Sequence, residues 1–336
     1  MKMTNQWLNQ LQNEINSNNI RVGVNSNLPL KIYNYTSQAQ FSENWNEVTM
    51  TCRGLILDDK GNVVVLPPPK FFNRGEKFAA PVDLLNARIS EKLDGMMIII
   101  KVDSDYGLII TSRGSFDNKY IEAAKKFLTD EIILRLVPNY TYFCELLQNF
   151  PGDEAIILTQ HPIPKLVCWA IMDNSFNEII PDEECPFPIA KELSLAEAKQ
   201  YLEQKVEGVV AQDLKTKERI KIKTEWFLEH HRLIADCTKK RVWETLSSGN
   251  KIEDLDIPDE FMDKMKGWED ELTFDFSLIA TAVENETRKR FNWSDKQIAL
   301  DNTLSPKMKA YIFARRKKGP EILANLIWKD LKPKVI

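Results

Sequence analysis

The patterning of the chain changes once, near Lys223, and that change limits what it can fold into. Before it, short apolar runs alternate with turn residues, as strands do; after Trp226, helical periodicity dominates to the last residue. The expected fold class is α+β: a domain of antiparallel sheets with flanking helices over residues 1–235, followed by an all-helical domain over 236–336. A chain of 336 residues has the length for both. No internal repeat and no low-complexity tail interrupts this division.

Taken in order, Trp7, Leu8, Leu11 and Ile15 predict a helix over 4–18. Strands follow over 20–24 and 28–35, with Tyr33 and Tyr35 on one face, then a loop from Ser37 to Asn44. A hairpin over 49–57 and 62–66 turns at Asp58-Asp59-Lys60-Gly61-Asn62, and Pro67-Pro68-Pro69 stiffens the approach to Lys70-Phe71-Phe72-Asn73. Strands are expected at Ala87–Lys92, Met96–Val102 and Leu108–Ser112, then a helix over 117–136 capped by Asp117. Strands at 140–147, 155–158 and 165–171 precede a helix over 194–205, where Ser194 and Glu197 have capping-box spacing. Two strands, Glu207–Gln212 and Arg219–Lys223, complete the first domain. The helical part is broken at Ser247-Ser248-Gly249, Pro258, Asn292-Trp293-Ser294 and Pro306.

Composition narrows the class of protein. No apolar run approaches the roughly 20 residues that span a bilayer, and the N-terminal residues lack the apolar core of a signal peptide. The five cysteines are scattered, odd in number and without a C-x-x-C pair, which favours free thiols in a reducing cytoplasm. With three histidines, two of them adjacent at His230 and His231, little is left for a histidine triad or metal centre. The net charge of −4 argues against a non-specific nucleic-acid coat but leaves room for a focused basic site.

Lys92-Leu93-Asp94-Gly95 stands just before the apolar run Met96-Met97-Ile98-Ile99-Ile100. A lysine so placed can act as a covalent nucleophile, although about 0.1 such K-x-D-G matches arise by chance in a chain this long. Other polar groups recur at strand edges: Arg53-Gly54, Lys70, Arg113-Gly114-Ser115, Glu207-Gly208-Val209-Val210 and Lys221-Ile222-Lys223. Singly, each has a plain structural explanation. Arg53 can pair with a core carboxylate, and Lys221 and Lys223 can form the exposed face of an edge strand. Glu145 is harder to explain this way, because a carboxylate inside Tyr142-Phe143-Cys144-Glu145-Leu146-Leu147 is costly without a partner.

In order, K-x-D-G, a glutamate in an apolar strand, E-G-V-V and K-x-K resemble the motif series of the covalent nucleotidyltransferases, the ligases and mRNA capping enzymes. Upstream, Lys31-Ile32-Tyr33-Asn34-Tyr35, Thr51-Cys52-Arg53-Gly54-Leu55 and Lys70-Phe71-Phe72-Asn73 are similar to the ATP-dependent RNA ligase 1 family of T-even phages. Lys221-Ile222-Lys223-Thr224-Glu225-Trp226-Phe227 is similar to that family as well. The resemblance covers about residues 30–227 and implies a nucleotidyltransferase (ATP-grasp-like ligase) domain.

It also implies a reaction. Lys92 attacks the α-phosphorus of ATP and holds AMP as a phosphoramidate. AMP then moves to an RNA 5′-phosphate, and a 3′-hydroxyl attacks that activated end. A free lysine is almost wholly protonated at neutral pH; nearby cations, a bound Mg²⁺ (or Mn²⁺) and partial burial would lower its pKa. By resemblance, Tyr35 and Arg53 line the nucleotide pocket, Lys70 meets the outgoing pyrophosphate, Glu145 accepts from the ribose, and Lys221 and Lys223 serve the α-phosphate. Asp94, Gly95 and Arg113 belong to the same pocket, with Gly95 and Gly208 permitting close approach to the nucleotide. By the same resemblance Glu207 holds the metal through water, in the manner of Mg²⁺. Arg113-Gly114 departs from the family's lysine-glycine, replacing a point donor with a fork. Glu253-Asp254 matches a metal-binding acidic pair, although the residues alone favour a solvated helix start.

The implied partner is single-stranded or broken-loop RNA with 5′-phosphate and 3′-hydroxyl ends, in RNA repair, bound by a monomer in the cytoplasm. His230-His231-Arg232, Lys239-Lys240-Arg241 and Arg315-Arg316-Lys317-Lys318 read either as solvated helix faces or as an RNA-docking surface. A DNA ligase or capping enzyme shares the core motifs but places an OB-fold after the K-x-K strand. A non-catalytic RNA-binding protein on a decayed ligase fold is the remaining alternative.

Overall fold

The computed structural model describes residues 1–150, 157–236, 238–252, 255 and 259–333, without the side chains of 233–236, 259–263 and 318. The chain separates into two compact units, Met1–Glu229 and His230–Ile336.

The first unit opens with α1 (Asn5–Asn16), β1 (Ile20–Val24), β2 (Leu30–Tyr35), α2 (Ser37–Phe41), α3 (Glu47–Thr51), β3 (Arg53–Asp58), β4 (Val63–Val65) and β5 (Phe72–Asn73). Then come β6 (Arg88–Lys92), β7 (Met96–Asp103), β8 (Gly107–Ser112), α4 (Lys119–Lys125), α5 (Asp130–Arg135), β9 (Thr141–Leu147) and β10 (Lys165–Met172). It closes with β11 (Glu178–Ile179), β12 (Glu192–Leu193), α6 (Leu195–Tyr201), β13 (Gly208–Gln212) and β14 (Arg219–Lys223). The helix α7 (Glu225–Asp236) begins in this unit, and α8 (Lys239–Ser247), α9 (Asp259–Lys289), α10 (Asp295–Leu300) and α11 (Pro306–Asp330) follow. The architecture is mixed α+β with antiparallel sheets and a helical C-terminal region.

Three sheets form the first unit: β1-β2-β3-β4, β11-β10-β9-β7-β8 and β12-β6-β13-β14-β5. All pairings are antiparallel except β14 with β5. The middle sheet explains the apolar run after Gly95. Ile98 and Ile100 pack into a core with Ala124, Tyr142 and Leu166. Met97 and Ile99 pack on the opposite side with Leu30, Ile32 and Ile56 of the first sheet. Both faces are covered, so the period-2 signature disappears. Each fully buried aliphatic side chain here contributes about 1.5–3 kcal/mol.

Several boundaries differ from expectation. Part of the segment read as a loop forms α2, because Thr36 accepts from the Ala39 N–H and caps it. Residues 49–51 belong to α3 rather than to a strand, fixed by the reciprocal capping box of Asn46 and Thr49. The helix expected over 117–136 is two helices. Asn118, not Asp117, caps α4, and Thr129 caps α5, so each cap starts its own helix. Ser194 and Glu197 do form the expected box, but α6 ends at Tyr201. Of the strand expected over 155–158, residues 155–156 lie outside the described residues and 157–158 are not strand.

After Lys223 the described residues contain no strand. In the second unit, Val242, Ile252, Met265 and Leu272 form one core with Trp243, Trp268 and Trp328 against it. The Trp243 indole donates to the Trp328 carbonyl at 2.7 Å. Arg290 ties α9 to the α10 C-terminus by donating to Asp301 at 2.8 Å. The long helix α11 is broken at Gly319, where φ is +84° ahead of Pro320. No helix among the described residues is long and apolar enough to cross a membrane.

Candidate active site

Register brings the motifs together. Gly208 of β13 lies opposite Lys92 of β6 on one side and Lys223 of β14 on the other. Lys221 lies opposite Val210 and beside Asn73 of β5, which continues from Lys70-Phe71. The chain then leaves this sheet through Leu93-Asp94-Gly95 and enters β7, whose neighbour β9 carries Glu145 opposite Met97.

The Lys92 amine donates to Glu207 Oε2 at 2.6 Å, and Lys223 Nζ lies 3.1 Å from Glu207 Oε1. The Lys92 side chain keeps 20% of its exposure, whereas Glu207 keeps 7%, so the amine faces a cleft and the carboxylate does not. That cleft, about 590 Å³ with its open mouth, is lined by Arg53, Phe71, Lys92, Glu145, Trp169 and Arg219 among others.

Positive charge gathers beside Lys92. Burial pushes the Lys221 amine down to about 7, helped by Lys92, Lys70, Arg53 and Lys223. The Lys70 amine sits 4.4 Å from the Trp45 ring centroid and 5.0 Å from those of Tyr35 and Phe72, a cation–π cage. Burial holds Lys70 below its ordinary value, and Arg53 adds to the effect. Arg53 itself is held down by burial and lies against the Phe71 and Trp169 rings.

Glu145 is crowded by protein yet touches the cleft. Burial pushes its carboxyl up to about 7, Glu207 and Asp94 add to the rise, and Lys92 and Arg53 oppose it. Burial would raise the Tyr35 phenol, but Arg113, Arg53 and Lys70 together outweigh it and leave the value lowered. Arg113 Nη1 donates to the Tyr35 hydroxyl at 3.3 Å.

The structure thus gathers Lys92, Glu207, Lys223, Lys221, Glu145, Arg53 and Lys70, with Tyr35 and Arg113 adjoining through Arg53 and Lys70. Asp94 is turned to another task. Its carboxylate accepts from the amides of Leu158 at 2.8 Å and Thr159 at 2.7 Å, and its carbonyl meets His161 Nε2 at 2.6 Å. The two glycines also serve the protein backbone. A Cβ at Gly95 would lie 2.5 Å from the Leu146 carbonyl; at Gly208, where φ is +145°, it would lie 2.0 Å from that of Ile222. Glu253 and Asp254 lie outside the described residues.

Three groups carry no sequence signal of their own. Trp169 sits in an apolar strand and reads as core, yet its ring lines the cleft and its Nε1–H is buried without a partner. Arg219 pairs with Glu178, to which Gln212 also donates at 2.8 Å, closing one end of the cleft. Trp45 completes the Lys70 cage from just beyond the segment read as a loop. In the helical unit, Lys239 pairs with Glu271, Lys240 with Glu244, Arg315 with Glu284, and Arg316 and Lys317 with Asp295. Those basic groups are largely neutralised within their own unit.

Among the described residues no cluster of three or more His, Cys, Asp or Glu side chains could cage a metal ion. Glu207 alone, together with the phosphate oxygens of a bound nucleotide, fits the way Mg²⁺ is held by one or two carboxylates.

No protein-family model and no curated protein matches the chain. Solved structures do. An archaeal ATP-dependent RNA ligase is 13% identical, with 78% of this chain covering 75% of that one at a TM-score of 0.49. A putative ATP-dependent DNA ligase from Aquifex aeolicus is 15% identical over 81% of this chain and 74% of its own, at 0.45. A Naegleria gruberi RNA ligase variant solved with ATP and Mn is 17% identical over 44% and 51%, at 0.33. At such identities and scores, what the chain does has to come from its own residues.

Proposed function

We propose that the chain is an ATP-dependent RNA ligase that joins 5′-phosphate and 3′-hydroxyl ends through a lysyl-AMP intermediate, in RNA repair. The observation that carries this reading is the Lys92 amine held at 2.6 Å by Glu207 at the edge of a cleft, with Lys221, Lys223, Lys70 and Arg53 around it. These cations outnumber the nearby carboxylates, and a nucleotide's phosphates would balance them.

In the first step Lys92 must act as the free amine. Glu207 is placed to keep the nitrogen aimed into the cleft. The N–P bond forms as the P–O bond to pyrophosphate breaks. Lys221 and Lys223 stabilise charge on the α-phosphate, and Lys70 and Arg53 that on the departing pyrophosphate. Glu145, whose carboxyl burial raises to about 7, can accept from or donate to a ribose hydroxyl. A divalent cation held at Glu207 would add neutralising charge at the phosphates. In the second step an RNA 5′-phosphate oxygen attacks the same phosphorus and the P–N bond to Lys92 breaks. A 3′-hydroxyl then displaces AMP. We propose the helical unit as the RNA-docking part; its basic residues would exchange exposed ion pairs, each worth little, for phosphates.

The absence of strands after Lys223 among the described residues disfavours a capping enzyme or a DNA ligase with an OB-fold. The test is incubation with α-labelled ATP and Mg²⁺ or Mn²⁺, followed by 5′-phosphorylated single-stranded RNA or nicked duplex DNA. A labelled adduct that Lys92→Ala abolishes, and circular RNA, are expected. No adduct from wild type sinks the enzyme reading, an adduct from GTP alone shifts it to capping, and sealing of duplex DNA alone overturns the substrate.

A further inference from the structure

A second polar cavity adjoins the nucleotide cleft. It measures about 710 Å³ with its open mouth and is lined by Arg21, Asn34, Tyr35, Thr36, Gln38 and Arg113, among others. Strand register builds it: Arg21 of β1 lies opposite Asn34 of β2, and Asn34 lies opposite Arg53 of β3. A row of guanidinium, amide and guanidinium therefore crosses three strands from the edge of the sheet to the cleft. On the far side, Arg21 lies over Gly114, where an added Cβ would come 2.6 Å from its Nη2, so Arg21 and Arg113-Gly114 are spatial neighbours.

Both of its guanidiniums, Arg21 and Arg113, are exposed, and among the described residues neither pairs with a carboxylate. Among the described residues the Arg21 side chain has no hydrogen bond or ion pair, and that of Arg113 has only the Tyr35 hydroxyl as a hydrogen-bond partner. Asn34 is 2% exposed and its Oδ1 has no donor, an acceptor that a phosphate cannot meet but a neighbouring ribose hydroxyl can. Adjacent guanidiniums without a carboxylate repel one another, and a phosphate resolves that repulsion with charge-assisted hydrogen bonds.

In-line displacement says which phosphate. If Lys92 and pyrophosphate stand on opposite sides of the α-phosphorus in the first step, the group that later displaces Lys92 enters where pyrophosphate left. An RNA 5′-phosphate therefore takes the place beside Lys70 and Arg53, and its strand runs outward past Tyr35. We propose that the Arg21–Arg113 cavity holds the first internucleotide phosphate of the RNA strand that receives AMP, an assignment that rests on the ligase reading. Contacts of this kind fix register along a strand without reading bases.

The test is equilibrium binding of the full chain to a short 5′-phosphorylated single-stranded RNA, by fluorescence anisotropy over a range of salt, beside ATP binding to the same proteins. Arg21 is exposed on an edge strand, so Arg21→Ala leaves the ladder intact. Arg21→Ala should weaken RNA binding about tenfold and make the log–log salt dependence shallower by about 0.7. Arg21→Lys should recover part of both, and ATP affinity should be unchanged. Unaltered RNA affinity in Arg21→Ala overturns the proposal. So does a loss of ATP affinity as large as the loss for RNA, which would assign the cavity to the triphosphate tail. Binding is read without catalysis, so a protein that forms no Lys92 adduct removes the ligase reading and leaves this comparison decisive.

Discussion

Two lysines on consecutive strands of the first unit are both ion-paired, and what surrounds each pair differs. Lys101 of β7 bonds the Val64 carbonyl at 2.6 Å and Asp103 at 2.7 Å, with side-chain exposures of 6% and 9% for the pair. Asp103 also accepts from the amides of Asp105 and Tyr106. Every charge in that network is answered inside the fold. Lys92 of β6 has only Glu207, which it shares with Lys223, and beside it stand Lys221, Lys70 and Arg53 without an ion pair among the described residues. A buried charge that the protein satisfies is architecture. A surplus of partly buried charge beside a cleft is left unanswered by the fold.

The sharpest way to break this contrast is Lys92→Arg. The charge and the Glu207 partner survive, so the unfolding midpoint should stay near that of wild type. The nucleophile does not survive, so the labelled adduct should fall to background. An arginine variant that still labels would place the nucleophile elsewhere.

Lys101→Met is the converse. It should leave adduct formation by the folded protein intact but cost about 3 kcal/mol, because Asp103 is left as a buried charge without its partner. Urea unfolding measures this. A cost below about 1 kcal/mol, the worth of an exposed pair, would mean the network is wetter than its exposures indicate.

The cleft should also reveal itself through pH, with two limbs of opposite sign. Glu145 is raised from 4.5 to about 7, so its favourable contribution is full below 4.5 and is lost as pH rises to about 7. Lys221 is lowered from 10.5 to about 7; between those values the unfolded chain binds more protons, so stability rises with pH. The site's net contribution is therefore lowest near neutrality. Glu145→Gln should flatten the acid limb and Lys221→Met the alkaline one. Stability differences from wild type that do not vary with pH would remove both assignments.

What the sequence disclosed follows the same divide. Lys92, Glu207, Lys221 and Lys223 were singled out because their order resembles a known motif series, and strand register brings their segments side by side. Asp94 was read toward the nucleotide because it neighbours Lys92, but sequence proximity does not give a side chain's direction; its carboxylate fastens residues 158–159 instead. Gly95 and Gly208 were read as making room for a ligand, whereas the Leu146 and Ile222 carbonyls occupy that space. The strands around Met96–Val102 were legible from apolar runs alone. The start of α3 was not, since it depends on one reciprocal cap between Asn46 and Thr49.

Trp169 gives the finest test, because it belongs to both kinds of environment at once. Its ring packs 5.8 Å from that of Phe143, as a core residue does, while Arg53 and Arg219 lie over it from the cleft. Its buried Nε1–H has no acceptor, and an unmet donor costs about 1–3 kcal/mol. Trp169→Phe keeps an aromatic face and removes that donor, so the penalty it relieves should offset the lost packing and leave stability within about 1 kcal/mol of wild type. If a nucleotide supplies the missing acceptor, its affinity should fall about fivefold in the same variant, near 1 kcal/mol. Calorimetric titration with ATP beside urea unfolding separates the two. Lower affinity at unchanged stability puts the indole with Lys92 among the groups left unanswered by the fold. Lower stability at unchanged affinity puts it with Lys101, as part of the frame.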